Sequence, residues 1–288
     1  MKNISESFTK NYLNKLDNMN ISIKAVIDNF YIGSRKSNKK GNSLEFSDFK
    51  EYIAGDDIRR IDWNSYARTD RMYVKRFDEE REAGINIFID ASTSMDYGNE
   101  NKGYYSKILS ASLAYIALKS SDNVNIFVCG SELKQSKLNL RSKRFFSDTI
   151  EFLDNVKFEG NTSLSKAILQ TKDIRLNKGI SFIISDFFSE DGFEDGIKSL
   201  YYRKQKIAVL HIVSPQEVNP ALNGNIRFID SESGLTEEVN LDEMVLKNYK
   251  KQFEIFSNTI KEVAYKTEGT YKRIITDMPV IENFITEF

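Results

Sequence analysis

The chain has 288 residues, 40% apolar and 12% aromatic, enough for a sizeable buried core. Its 41 Lys+Arg and 42 Asp+Glu leave a net charge of −1, which argues against a protein devoted to nucleic acid and against a disordered acidic chain. Cys129 and His211 are the single cysteine and the single histidine, which excludes an internal disulfide, a Cys-rich zinc site and any pair of histidine ligands.

Residues 4–18 read as a polar, weakly amphipathic helix. Gly33 to Gly41 follows as a basic loop carrying Arg35, Lys36, Lys39 and Lys40, either a solvated surface loop or an anion contact. Residues 44–68 are dense in polar and aromatic side chains, and residues 72–79 read as an edge strand. From residue 84 the pattern changes to short apolar runs alternating with helical stripes. The runs are Ile85–Ile89, Val124–Cys129, Ile180–Ile184, Ile207–Val213 and Arg273–Thr276. The stripes include Tyr105, Leu109, Leu113 and Ile116, and the long series Leu246, Tyr249, Phe253, Phe256, Ile260 and Val263.

Near-continuous apolar strands imply burial on both faces. The expectation is therefore a doubly wound α/β fold, a mostly parallel sheet with helices on both faces. It occupies residues 83–288, with a β-hairpin insertion at about 224–240 around Asp230 to Gly234, and residues 1–82 form an amino-terminal annex. No apolar run is long enough to span a membrane, and the amino-terminal segment lacks the apolar core of a secretory signal. A cytoplasmic location is expected.

Ligands of open α/β sheets sit beyond the carboxyl ends of the strands. The first apolar run is followed by Asp90-Ala91-Ser92-Thr93-Ser94, and the third by Ser185-Asp186. Gly160-Asn161-Thr162-Ser163 precedes a helix near Leu164. These donors are all oxygens, the ligand type of hard ions such as Mg²⁺ or Mn²⁺. Ser92 and Ser94 on one tight loop can face one ion, with Asp90 and Asp186 holding it directly or through water. Taken singly, the hydroxyls could equally cap helices, and Asp186 could make an Asx turn.

Asp90-x-Ser92-x-Ser94, Thr162 and Asp186 resemble the metal-ion-dependent adhesion site of von Willebrand factor type A domains. Upstream stand Gly55-Asp56-Asp57-Ile58-Arg59-Arg60-Ile61-Asp62-Trp63, Ala67-Arg68 and Val74-Lys75-x-Phe77. Together with the metal motif they are similar to the prokaryotic family named domain of unknown function 58 (DUF58), from about Ile27 to Phe288. The resemblance implies Mg²⁺ coordination by Asp90, Ser92, Ser94, Thr162 and Asp186, with a partner's carboxylate completing the octahedron. It also implies a non-enzymatic binding protein working with a MoxR-type AAA+ ATPase in assembly or maturation of a client. Gly55, Asp56, Asp57, Arg59, Asp62, Trp63 and Arg68 are candidate partner-binding residues, with Trp63 equally readable as an anchor of the annex. One departure is that many type A domains place two glycines before the threonine, where this chain has Gly160-Asn161.

Two other readings rank below. The basic residues 35–40 could bind nucleic acid or an anionic surface, which salt would weaken and chelator would not. A metal-dependent hydrolase would need a general base, for which Asp96 is the nearest candidate, because His211 falls inside an apolar run.

Overall fold

The computed structural model describes residues 3–17, 44–79, 83–189, 191–220, 224–229 and 236–285. The basic loop 33–41 and the hairpin turn 230–234 lie outside them. Two compact units form, one of residues 31–82 and the other of residues 1–30 with 83–288.

The amino-terminal residues thus divide differently from the expected annex 1–82. A short 3-10 turn, Ile4–Ser7, is followed by helix α1 over residues 10–17. The helix expected over 4–18 is interrupted because Thr9 starts a new one, its Oγ1 accepting the Tyr12 N–H at 3.3 Å. Ile4 and Leu16 are buried in the larger unit, where the Ile4 N–H donates to Asp154 Oδ1 at 2.8 Å and Tyr115 donates to Asp17 Oδ1 at 2.9 Å.

In the smaller unit, β1 (Leu44–Glu51) pairs antiparallel with β2 (Tyr73–Glu79), and α2 (Trp63–Thr69) lies between them in sequence. Two of its aspartates cap short helices. Asp57 accepts the Arg59 N–H at 3.1 Å, and Asp62 accepts the Asn64 N–H at 3.0 Å at the start of α2.

The larger unit is built on six strands: β3 (Gly84–Asp90), β4 (Asn123–Cys129), β5 (Leu133–Leu140), β6 (Gly179–Ser185), β7 (Gln205–Val213) and, near the carboxyl end, β10 (Thr270–Ile275). Between β7 and β10 lies the hairpin of β8 (Gly224–Ile229) and β9 (Thr236–Leu241), paired antiparallel as expected. The sheet order is β10-β7-β6-β3-β4-β5. All pairings are parallel except that of β4 with the edge strand β5.

Side chains alternate across a strand, so the two faces of the sheet build two cores. Phe88, Phe127, Ile183 and Val209 join one cluster with α5 (Leu164–Leu169), α6 (Glu194–Tyr202) and α8 (Glu243–Lys266). Ile87 and Ile89, fully buried and absent from that cluster, belong to the face where α3 (Lys102–Lys119) packs on β3 and β4. Helix α3 is buried nearly all round, because α4 (Phe146–Asp154) and the amino-terminal turn cover its outer side. A short helix α7 (Pro215–Val218) follows β7, and α9 (Val280–Ile285) closes the described chain.

A polar ladder crosses the sheet near the amino ends of its strands. Asn125 donates to Asn86 Oδ1 at 2.9 Å, Asn86 to Gln205 Oε1 at 2.9 Å, and the Asn139 N–H to Asn125 Oδ1 at 2.9 Å. Buried amides must find partners, and the Asn86 and Asn125 amides do so across β3, β4 and β7, which ties these strands to one another in register.

Candidate metal centre

The buried strand β3 ends on Asp90, whose side chain is fully enclosed. Asp90 Oδ1 accepts the Ser92 N–H at 3.0 Å and the Thr162 hydroxyl at 2.6 Å, and Oδ2 accepts the Ser185 hydroxyl at 2.5 Å. Ser92 Oγ and Ser94 Oγ are 3.0 Å apart. Three loops, after β3, before α5 and after β6, therefore meet at one carboxylate. Ser92 and Ser163 occupy helix-start positions but their side chains cap nothing, so capping does not account for them. Asp186 does form the Asx turn considered for it, its Oδ1 accepting the Phe188 N–H at 3.2 Å.

The loops are braced by backbone contacts. The Thr93 N–H donates to the Gly160 carbonyl at 2.9 Å, and Lys134 Nζ donates to the carbonyls of Ala91 at 3.1 Å and Glu159 at 2.6 Å. Gly160 has φ +73°, a left-handed turn that favours glycine, so this single glycine makes the bend.

Three residues outside the expected set join the centre. Lys102, only 1% exposed at the start of α3, donates to Asp186 Oδ2 and to Glu217 Oε1, both at 2.7 Å. Glu217 also closes a capping box with Ser214 on α7. The cap was within reach of sequence reasoning, because Ser214-Pro215-Gln216-Glu217 has capping-box spacing, whereas Lys102 shows in the sequence only as a lysine one turn before the Tyr105-Leu109 stripe. Ser185, the residue before Asp186, is the third addition.

Burial, reinforced by the charge of Asp186, pushes the Asp90 carboxyl above the usual carboxylate range, and its three hydrogen bonds offset this only in part. Burial would lower the Lys102 ammonium, but Asp186 and Glu217 more than compensate and hold it above its ordinary value. Burial raises the Cys129 thiol strongly, with Asp90 adding to it, so Cys129 is an inert core residue.

The residues fit a hard divalent cation. Adjacent ligands of an octahedral Mg²⁺ with bonds of about 2.0–2.1 Å lie about 2.9 Å apart, close to the Ser92–Ser94 oxygen separation of 3.0 Å. Among the described residues no group of three or more His, Cys, Asp or Glu gathers as a metal cluster, so a cation here would need hydroxyl oxygens beside the carboxylates. Asp186 and Glu217 share the one ammonium of Lys102, while Asp90 is held by hydroxyl and backbone donors alone.

The rim is aromatic. Tyr97, 50% exposed, and Phe188, 44% exposed, stand with their rings 5.8 and 5.9 Å from Lys102 Nζ.

The candidate partner-binding residues lie in the smaller unit. Asp56 pairs with Lys50 at 3.1 Å, Gly55 adopts φ +109°, and Arg68 Nε donates to the Asn64 carbonyl at 3.2 Å. Arg59 and Trp63 are exposed, with Trp63 packed edge-on against Tyr66. Asp57 and Asp62 serve as helix caps.

A model of the family described as "Protein of unknown function DUF58" matches residues 48–256. The chain is similar to Uncharacterized protein Rv1480 of Mycobacterium tuberculosis (strain ATCC 25618 / H37Rv), at 22% identity over 232 residues, 79% of this chain and 73% of that protein. Among solved structures it is similar to BatB from Bacteroides thetaiotaomicron, at 18% identity over 67% of this chain and 90% of that one, with a TM-score of 0.44. It is also similar to the VWA domain of SpRpn10, at 11% identity over 71% and 94%, with a TM-score of 0.38. The six-stranded, mostly parallel sheet with Asp90-x-Ser92-x-Ser94 at the end of β3 is a von Willebrand factor type A-like α/β fold. Among the described residues no helix is long and apolar enough to cross a membrane.

Proposed function

The chain belongs to the DUF58 family, and on that premise we propose that it is a non-enzymatic, metal-dependent protein-binding protein whose partner is a MoxR-type AAA+ ATPase. The observation that carries this reading is the convergence of Asp90, Ser92, Ser94 and Thr162 in one hydrogen-bonded cluster at the strand ends, with Asp186 beside it. Asp90, Asp186 and the three hydroxyls would hold Mg²⁺ or Mn²⁺. When bound, the cation supplies an under-neutralised positive charge that attracts a carboxylate of the partner. Asp90 anchors the three loops, Thr162 and Ser185 orient its two oxygens, and Tyr97 and Phe188 offer apolar contact beside the acidic contact.

Catalysis by this chain has little support. His211 is buried in β7 and bonded through Nδ1 to the Tyr271 hydroxyl at 2.8 Å. Asp96, the candidate base, accepts from Asn101 at 2.6 Å.

The test is capture of the purified MoxR-type ATPase encoded in the same genome by immobilised chain, in Mg²⁺, in EDTA and in raised salt. Capture in Mg²⁺ that is lost in EDTA and in Thr162→Ala, with the variant still folded by circular dichroism, is the expected result. Capture undiminished by chelator and by the substitution sinks the metal-bridged reading. A steep loss with salt alone favours electrostatic binding through residues 35–40 instead.

A further inference from the structure

A lysine ammonium is rarely enclosed, because leaving water is costly unless it is paired. Lys102 is enclosed and paired twice, on Asp186 Oδ2 and on Glu217 Oε1, each at 2.7 Å. The rings of Tyr97 and Phe188 flank it at 5.8 and 5.9 Å. Both oxygens of Asp186 carry a partner, Oδ2 accepting from Lys102 and Oδ1 accepting the Phe188 N–H at 3.2 Å. A divalent ion that approaches Asp90 therefore meets a carboxylate already held by a resident cation. Glu217 holds the same ammonium and is itself anchored by its capping box just after β7. It can keep the ammonium while Asp186 turns to the ion.

We propose that Lys102 is an internal counter-cation of the site: it competes with the divalent ion for Asp186 and sets the affinity of the cluster, with Glu217 as its second holder. This rests on the reading of the cluster as a cation site. Removing the lysine takes a positive charge from beside Asp186, and removing the charge of Glu217 takes a negative charge from beside the lysine. The two changes must therefore move affinity in opposite directions. A lysine that were only a strut between α3, the Asp186 loop and α7 would behave otherwise, since either loss would loosen the loops and weaken the ion.

The experiment is calorimetric titration of the full chain with Mn²⁺ at fixed pH and ionic strength, with thermal midpoints measured with and without the ion. The variants are Lys102→Met, Lys102→Gln, Glu217→Gln and Asp90→Ala. Glutamine is neutral yet still donates to Asp186, and it is also a capping-box residue at position 217. The expected result is binding at least about tenfold tighter in both Lys102 variants and several-fold weaker in Glu217→Gln. The Lys102 variants should melt lower than wild type without the ion, and saturating Mn²⁺ should close that gap. Wild-type binding with equal or weaker binding in both Lys102 variants overturns the counter-cation role and leaves the cation site standing. Binding gained only on removal of Lys102 supports the role in its strongest form. No binding in any protein overturns both this role and the metal reading. Failure of both Lys102 variants to fold in saturating Mn²⁺ also overturns it, since the ion should replace the lost charge.

Discussion

His211 lies wholly buried in β7, ringed by Phe187, Phe253, Phe256 and Tyr271. Burial, helped by the positive charges of Arg273 and Lys102, lowers its imidazole from 6.5 to about 3, and contact with the Asp186 backbone opposes this only weakly. The folded chain therefore keeps His211 neutral across a window in which the unfolded chain protonates it. Its contribution to stability is complete above pH 6.5 and is lost as pH falls toward about 3. The slope it adds is about 1.4 kcal/mol per pH unit within that window. In urea unfolding between pH 4 and pH 7, His211→Phe should flatten the profile relative to wild type by about that slope. Identical profiles would mean that the imidazole is protonated in the fold. The sequence placed His211 inside an apolar run, and its neutrality follows from that placement. The Lys102 pairing was harder to read, because a lysine one turn before an apolar stripe is usually solvated, and only the fold brings the ends of β6 and β7 around it.

The four apolar runs from Ile85 to Val213 became strands buried on both faces, as near-continuous apolar sequence demands, while the run at Arg273–Thr276 fell in the half-buried edge strand β10. Strand β5, Leu-Lys-Gln-Ser-Lys-Leu-Asn-Leu, was illegible for the opposite reason. It is an edge strand paired only with β4, partly exposed, and its polar residues guard the open edge. Strand β1 likewise sits in a two-stranded pair and reads as a polar-aromatic stretch. The strand starts show why two glycines stand where they do. Gly84 and Gly179 face each other in the β3–β6 register, and a Cβ on Gly179 would lie 1.7 Å from the Gly84 carbonyl oxygen. Backbone cannot yield as a flexible side chain does. Gly179→Ala should therefore cost about 1–3 kcal/mol, seen as a lower urea midpoint at an unchanged slope. A midpoint equal to wild type would mean that β3 and β6 do not approach so closely at their start.

At the scale of the whole molecule, the centre joins elements that are far apart in sequence. Asp90 at the end of β3, Thr162 before α5, Ser185 at the end of β6 and Glu217 in α7 are separated by up to 127 positions, counted from residue 90 to residue 217. A ligand that holds them together stabilises the folded chain and not the unfolded one. The ladder of Asn86, Asn125 and Gln205 and the two cores fix the sheet without any ion, so the metal-free chain is expected to fold. It then carries Asp90 beside Asp186, two carboxylates in a buried site whose mutual repulsion a divalent ion would relieve. At a free Mg²⁺ concentration about 100 times the dissociation constant, linkage adds about 2.7 kcal/mol. For a protein of this size that is a rise of about 5–10 °C in the melting midpoint. Scanning calorimetry in Mg²⁺ and in EDTA should show this rise for wild type and none for Asp90→Ala, with the EDTA midpoint still that of a cooperative fold. An equal midpoint in Mg²⁺ and EDTA for wild type would mean that the cluster holds no divalent ion. The exposed Trp63 surface of the smaller unit would then become the leading contact for a partner.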